Sequence, residues 1–252
     1  MTSIWPTPRK RFSAGNLSAA MIVILLGYSC TVLAGDGENL DELQLKLTDH
    51  WQLIKNDRIH NIRSYAKLES GKRFRSFRVE AFINASPESL TRCFLDFSNY
   101  SRWYWSVRES RLLKQVSPTE YYLLMVHNAP YAMPDRDVVL HAVVEPPTAE
   151  SPAVVLRVHS EPDYIPPNPP LIRMPAEDIL VRFKPLPGNR LELVAEGYAD
   201  PGGNVPSWAA NFVQRSAPYG IILNLQRLLE KETVISGTDP LPFPVYPYAE
   251  PH

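Results

Sequence analysis

Residues 198–229 constrain this chain more than any other stretch. A strand ends at Tyr198-Ala199-Asp200, the turn Pro201-Gly202-Gly203-Asn204-Val205-Pro206 follows, and Ser207-Trp208 opens a long apolar helix. Between residues 217 and 225 that helix carries no charged side chain. A surface helix shows one apolar stripe and one charged face. A helix apolar nearly all round needs apolar neighbours on more than one side: a sheet and a greasy cavity, another protein, or a membrane. Pro218 removes a donor and meets the carbonyl of Gln214, which predicts a kink or restart there, and Gly220 adds local freedom.

Upstream, the pattern is mostly that of strands. Residues 39–56 read as a helix, since Leu40, Leu43, Leu47, Trp51 and Ile54 fall at helical spacing and Asn39 with Glu42 resembles a capping box. Residues 62–69 and 72–84 read as a hairpin around Ser70-Gly71, with Phe77, Val79, Ala81 and Ile83 on one face of the second strand. Ser86-Pro87 starts a short helix that places Cys93 in the core. An aromatic knot follows at Tyr100, Trp103, Tyr104 and Trp105. Further strands are expected at 107–116, 120–127, 135–145, 153–160, 179–185 and 190–198, and helices do not intervene as a parallel α/β sheet requires. Five prolines in 161–170 make an extended rim loop. The tail from 239 to 252, with Phe243, Tyr246 and Tyr248 among its prolines, lies extended along the body or is disordered.

The N-terminus reads as an export signal: basic Arg9-Lys10-Arg11, an apolar run at 19–26, and the small-residue pattern Val32-Leu33-Ala34. Residues 17–34 are also just long enough for an uncleaved anchor. Removing 1–34 takes three basic and no acidic side chains, so 26 basic residues fall to 23 against 27 acidic, a net charge of −4. That balance carries no nucleic-acid footprint. Cys30 leaves with the signal, so Cys93 has no disulfide partner, which suits a bacterial periplasm. The expected division is a signal peptide at 1–34, a ligand-binding domain at 35–235 and a proline-rich tail at 236–252.

Catalytic signatures do not stand out. The six histidines, His50, His60, His127, His141, His159 and His252, show no metal-ligand spacing, and HExxH, CxxC and GxSxG are missing. Gly202-Gly203 reads as a turn rather than a phosphate loop. No metal and no cofactor is expected.

Two stretches resemble a known family. Asn128-Ala129-Pro130-Tyr131-Ala132-Met133-Pro134-Asp135-Arg136-Asp137-Val138-Val139 resembles the strand-entry signature of the START (steroidogenic acute regulatory protein-related lipid-transfer) domain. The turn at 200–211 resembles that family's entry into its C-terminal helix, and the element order agrees. The resemblance implies an α+β helix-grip fold, in which a curved antiparallel sheet wraps a long C-terminal helix around an internal apolar cavity. It also implies a non-catalytic monomer that carries one lipid or sterol and touches membranes transiently. Burying an apolar ligand gains roughly 25 cal/mol per Å² removed from water, so greasy walls suffice.

The expected cavity wall is Tyr122, Leu124, Arg136, Val138, Leu140, Leu156, Val158, Leu193, Trp208, Phe212, Tyr219 and Leu223. Tyr219, Ile221 and Ile222 are the expected lid or membrane contact. Arg136 reads as an arginine salt-bridged at the strand start, or as a guanidinium that orients a ligand hydroxyl. Tyr122 and His127 fall on opposite faces of one strand, so at most one points inward; plain readings are a core or rim tyrosine and a satisfied surface histidine. Two other functions stay open. A cyclase-like enzyme on the same scaffold would need Arg136 with His141 or Tyr198, although strand parity separates Arg136 from His141. An interaction module would use the aromatic, proline-rich tail.

Overall fold

Alternating side chains on successive strands build one curved ten-stranded sheet, seen in a computed structural model that describes residues 49–130, 132–148, 150–231 and 239–248. The strands are β1 (Gln52–Asp57), β2 (Ile62–Lys67), β3 (Ser76–Ile83), β4 (Val107–Ser117), β5 (Glu120–His127), β6 (Arg136–Glu145), β7 (Val154–Ser160), β8 (Ile172–Arg173), β9 (Ala176–Leu186) and β10 (Arg190–Asp200). Their spatial order is β1-β2-β3-β10-β9-β7-β6-β5-β4, with every pairing along this path antiparallel. The short β8 adds a parallel pairing to β6. The signal-peptide reading and the front of the expected N-terminal helix lie outside the described residues.

The C-terminal part of that expected helix is a strand. β1 pairs with β2, from Gln52 opposite Ala66 to Asp57 opposite Ile62. Turn chemistry decides the outcome. The Asp57 carboxylate accepts from the backbone N–H groups of Ile59 (3.0 Å) and His60 (3.1 Å), closing a turn that folds β2 back onto β1. Leu53, though apolar, is 52% exposed, so helical spacing there does not report a buried face.

α1 (Pro87–Leu95) begins as its cap predicts: the Ser86 hydroxyl accepts from the Ser89 N–H at 3.0 Å. Cys93 is buried in the core, and burial pushes its thiol up to about 12, which keeps it an inert packing group. A 3₁₀ turn at Tyr100–Arg102 carries Tyr100, Trp103 and Tyr104 of the aromatic knot into the core, while Trp105 lines the outer cavity under the C-terminal helix.

α2 (Ser207–Lys231) is one continuous helix through Pro218, so the expected restart does not occur. The proline is buried against the interior, where its ring packs while its fixed φ stays compatible with a helix. Two polar anchors hold this helix over the sheet. Gln226 Nε2 donates to the carbonyls of His60 (2.9 Å) and Phe82 (2.8 Å), and the Tyr219 hydroxyl donates to Asp57 Oδ2 at 2.6 Å. Part of the tail also lies on the body. Phe243 is buried in the main core, and Arg92 Nη2 donates to the Asp239 carbonyl at 2.6 Å.

Candidate functional site

Two adjoining chambers lie between the concave sheet face and α2. The inner one, about 110 Å³, is walled by the inward faces of β5, β6, β7, β9 and β10, by Phe94, Leu95 and Phe97 at the end of α1, and by Pro218, Ile221, Ile222 and Leu225 of α2. Phe243 and the rings of Tyr100, Trp103, Tyr104 and Tyr121 complete the lining. The tyrosine hydroxyls are tied off elsewhere. Tyr100 donates to the Phe94 carbonyl at 2.6 Å, Tyr104 to Glu177 Oε1 at 2.8 Å, and Tyr121 to the Pro118 carbonyl. Burial, more than any neighbouring charge, pushes the Tyr100 and Tyr104 hydroxyls up, so both stay neutral. What remains toward the chamber is ring and aliphatic surface, apart from Thr91.

The outer chamber, about 300 Å³, sits under the N-terminal half of α2. Its lining mixes Phe77, Met133, Met174, Ala209, Phe212 and Val213 with Arg75, His127, Arg136, Glu177 and Gln214. Phe77, Tyr104, Ile179, Pro218 and Ile221 line both chambers and form the wall between them. The outer volume is at the lower end of the range for small-molecule sites, roughly 300–1,000 Å³.

Arg136 stands apart from the carboxylates that flank it in sequence. Asp135 pairs with Arg108 and accepts from the Ala129 N–H at 2.9 Å. Asp137 is gripped by Arg173 through two bonds of 3.1 and 2.8 Å. Arg136 instead donates to the carbonyls of Pro201 (3.4 Å) and Pro134, which corrects the salt-bridge reading. The motif therefore fixes two different contacts. Asp137 clamps β8 and, through Arg173, the carbonyls of Pro162, Ile165 and Pro166 in the proline-rich rim loop, while Arg136 joins the strand start to the turn before α2.

Other expected cavity residues divide as follows. Leu140, Leu156, Val158 and Leu193 line the inner chamber, and Arg136 and Phe212 line the outer one. Val138 and Leu223 pack in the core without lining either. Tyr122 and Leu124 are on the other face of β5, whose chamber-facing residues are Tyr121, Leu123 and Met125. Both faces of β5 are apolar, so alternation left the register open by one residue, and a slip of one flips every side chain. Tyr122 stacks between His141 (4.5 Å) and Tyr164 (4.2 Å) on that outer face.

The expected lid also changes. Ile222 is buried in the inner chamber, Ile221 lines the dividing wall, and Tyr219 is tied to Asp57 with Lys55 Nζ 3.4 Å from its ring centre. Trp208 lies outside both chambers and is 52% exposed; Phe212, one turn on, is 43% exposed while touching the outer chamber. The exposed apolar face of α2 is therefore its first two turns, not the uncharged middle. Lack of charge at 217–225 reports enclosure by the sheet.

Sequence reading missed Arg75, His127 and Gln214. Arg75 lies in the basic stretch Lys72-Arg73-Phe74-Arg75, where nothing in the chain marks one of the three cations as inward. His127, expected at the surface, is half-buried in the outer lining with its ring 5.9 Å from Tyr104. The parity of β5 was the one available signal, since His127 shares a face with Tyr121, Leu123 and Met125. The outer face of the sheet holds a second grouping that chain spacing does not reveal. His141 and His159 are cross-strand partners, and with Glu161 they bring ligand-type atoms within 4.8 Å of one another. Each imidazole already meets a carboxylate, His141 with Glu120 at 2.8 Å and His159 with Glu161 at 3.0 Å. His141, stacked on Tyr122, and Tyr198 are in the lining of neither chamber, whereas Arg136 lines the outer one.

A curved antiparallel sheet closed by a long terminal helix over an apolar interior defines the helix-grip class, and this chain shares that fold with START-domain structures. It is similar to the STAR-related lipid transfer protein from Xanthomonas axonopodis, with 28% identity and a TM-score of 0.65 over 72% of this chain and 99% of that one. It shares the fold of human StAR-related lipid transfer protein 5, at 16% identity and a TM-score of 0.64 over 77% of this chain and 94% of that one. An uncharacterized Pseudomonas aeruginosa protein is 26% identical over 185 residues, 73% of this chain and 89% of its own length. No family model matches the sequence.

Proposed function

We propose that this protein binds one hydrophobic ligand, a lipid or sterol, in the paired chambers and transfers it between membranes without chemical change, with α2 as the gate. The observation that carries this reading is the inner chamber, whose lining is apolar except for Thr91 and whose aromatic hydroxyls bond elsewhere. Such a space rewards apolar burial and offers little to a reaction. The Xanthomonas protein's name as a lipid transfer protein supports the same reading.

Pro218 and Ile221 line both chambers, so any movement of α2 away from the sheet opens them together. Trp208 and Phe212 present an aromatic pair at the helix start, of the kind that settles at a membrane–water interface. The basic and apolar leader supports export, to the periplasm in a bacterium, and the protein acts there as a monomer. Native mass spectrometry of protein purified from its host, followed by extraction of the bound molecule, tests the reading. The expected result is a protein with one lipid or sterol. Recovery of empty protein that takes up nothing from a panel of lipids and sterols would overturn it.

A further inference from the structure

Five buried side-chain polar atoms lack a hydrogen-bond partner among the described residues, and three of them belong to residues that line the outer chamber: Arg75 Nη2, His127 Nε2 and Gln214 Nε2. Leaving a buried polar group unsatisfied is destabilising, and more so if it is charged. Three such groups in one cavity are improbable as scattered packing faults. They point to something that sits between them.

Their chemistry restricts what that is. Arg75 Nη2 and Gln214 Nε2 are donors only. The orientation of the Gln214 amide is fixed from behind, because its Oε1 accepts from the Arg75 backbone N–H at 3.4 Å and its nitrogen must then face away. His127 Nε2 is a donor in one tautomer and both ring nitrogens are donors in the cation. The Arg75 residue is only 6% exposed; burial first, and then the charge of Arg215, lower its affinity for a proton, and no carboxylate is among the causes that act on it. Arg136, a second buried guanidinium in the lining, bonds only to neutral carbonyls, with the Asp135 charge acting on it through space. Glu177 is the single carboxylate of the lining, and it already accepts from Tyr104. An electropositive pocket of unpaired donors fits a group rich in acceptors and negatively charged.

We propose that the outer chamber holds the anionic head group of a chain-bearing amphiphile, a carboxylate or phosphate seated on Arg75, Gln214 and His127, with its apolar chain passing the Phe77–Ile221 wall into the inner chamber. This inference rests on the carrier reading and narrows its ligand to acidic amphiphiles. A charge-assisted hydrogen bond contributes about 1.5–3 kcal/mol, which corresponds to roughly tenfold or more in affinity per bond.

The test loads the full chain from neutral phosphatidylcholine vesicles that contain palmitic acid, methyl palmitate, 1-palmitoylglycerol 3-phosphate or a sterol, and counts protein-bound probe by native mass spectrometry. The acid or the phosphate monoester is expected to load at least about tenfold more tightly than the methyl ester. Which of the two is preferred tells carboxylate from phosphate. Arg75→Gln should bring the ratio of acid to ester loading down to about one, and Arg75→Lys should restore part of the preference. Removing the unpaired charge should also leave the ligand-free R75Q protein at least as heat-stable as the wild type, which separates lost binding from lost folding. Equal loading of acid, phosphate and ester, or an R75Q protein that keeps the preference, would overturn the head-group assignment. Uptake of ester and sterol with no preference defeats this inference alone. Failure of every probe defeats the carrier reading as well.

Discussion

Gly220 lies in α2 against the indole of Trp105, so close that a Cβ placed on it would be 2.7 Å from Cε3 and 2.9 Å from Cζ3 of the ring. Alanine is the better helix residue by about 1 kcal/mol, yet overpacking a tight contact costs about 1–3 kcal/mol. Gly220→Ala is therefore expected to lower stability by about 1 kcal/mol in urea unfolding and, because Trp105 lines the outer chamber, to weaken ligand loading. A stability gain would mean that the ring yields freely. The sequence disclosed Gly220 only as local freedom, since nothing along the chain says that an indole distant in sequence packs on that helix. The same limit applies to His127 and Arg75. Side chains on β6 and β7 were assigned to the correct faces because polar residues such as Asp137, His141 and Arg157 mark the outer side. On β5 the run Tyr121-Tyr122-Leu123-Leu124-Met125-Val126 carries no such mark.

At the level of elements, α2 is latched to the turn between β1 and β2. Tyr219 donates to Asp57 Oδ2, and that turn also receives Gln226. The Tyr219 hydroxyl first, then the His60 N–H and imidazole, hold the Asp57 carboxyl well below its ordinary 3.8. A lowered acid pKa means that the fold favours the ionised form, so this stabilisation is present above about pH 4 and fades as the pH falls below it. The phenol behaves oppositely. Burial and then Asp57 push Tyr219 up to about 12 from 10.0, so its contribution is complete below pH 10 and is lost as the pH climbs toward 12. Tyr219→Phe should lower Tm at pH 7, with the gap to the wild type shrinking below about pH 4. A gap constant from pH 7 to pH 2.5 would show that the latch carries no charge-dependent stability. This latch could not be read from sequence because residues 39–56 looked helical. Their apolar spacing fitted 3.6 residues per turn, while the Asp57 turn that ends β1 was overlooked. The later strands were legible by contrast, since proline- and glycine-rich turns bound each of them.

At the scale of the whole molecule, exposed aromatics open α2, Phe212 among them also lines the donor-rich chamber, that chamber shares a wall with the apolar one, and Phe243 of the tail lines the latter. Among the described residues no helix is long and apolar enough to cross a membrane. Trp208 and Phe212 are one helical turn apart and thus share a face. Embedding both in a bilayer interface removes apolar surface worth about 1.5–3 kcal/mol per side chain. The double variant Trp208→Asp, Phe212→Asp should therefore slow transfer of a fluorescent lipid between vesicles by roughly tenfold or more. Single-turnover loading from a detergent-solubilised ligand should change little, because Trp208 touches neither chamber and Phe212 contributes only part of one wall. The matched substitutions Ile221→Asp and Ile222→Asp act differently. They would set a carboxylate in or beside the inner chamber, and unfolding or loss of loading is expected rather than selective loss of transfer. If the aromatic pair leaves the transfer rate untouched, the membrane contact belongs to another surface and α2 opens without touching the bilayer.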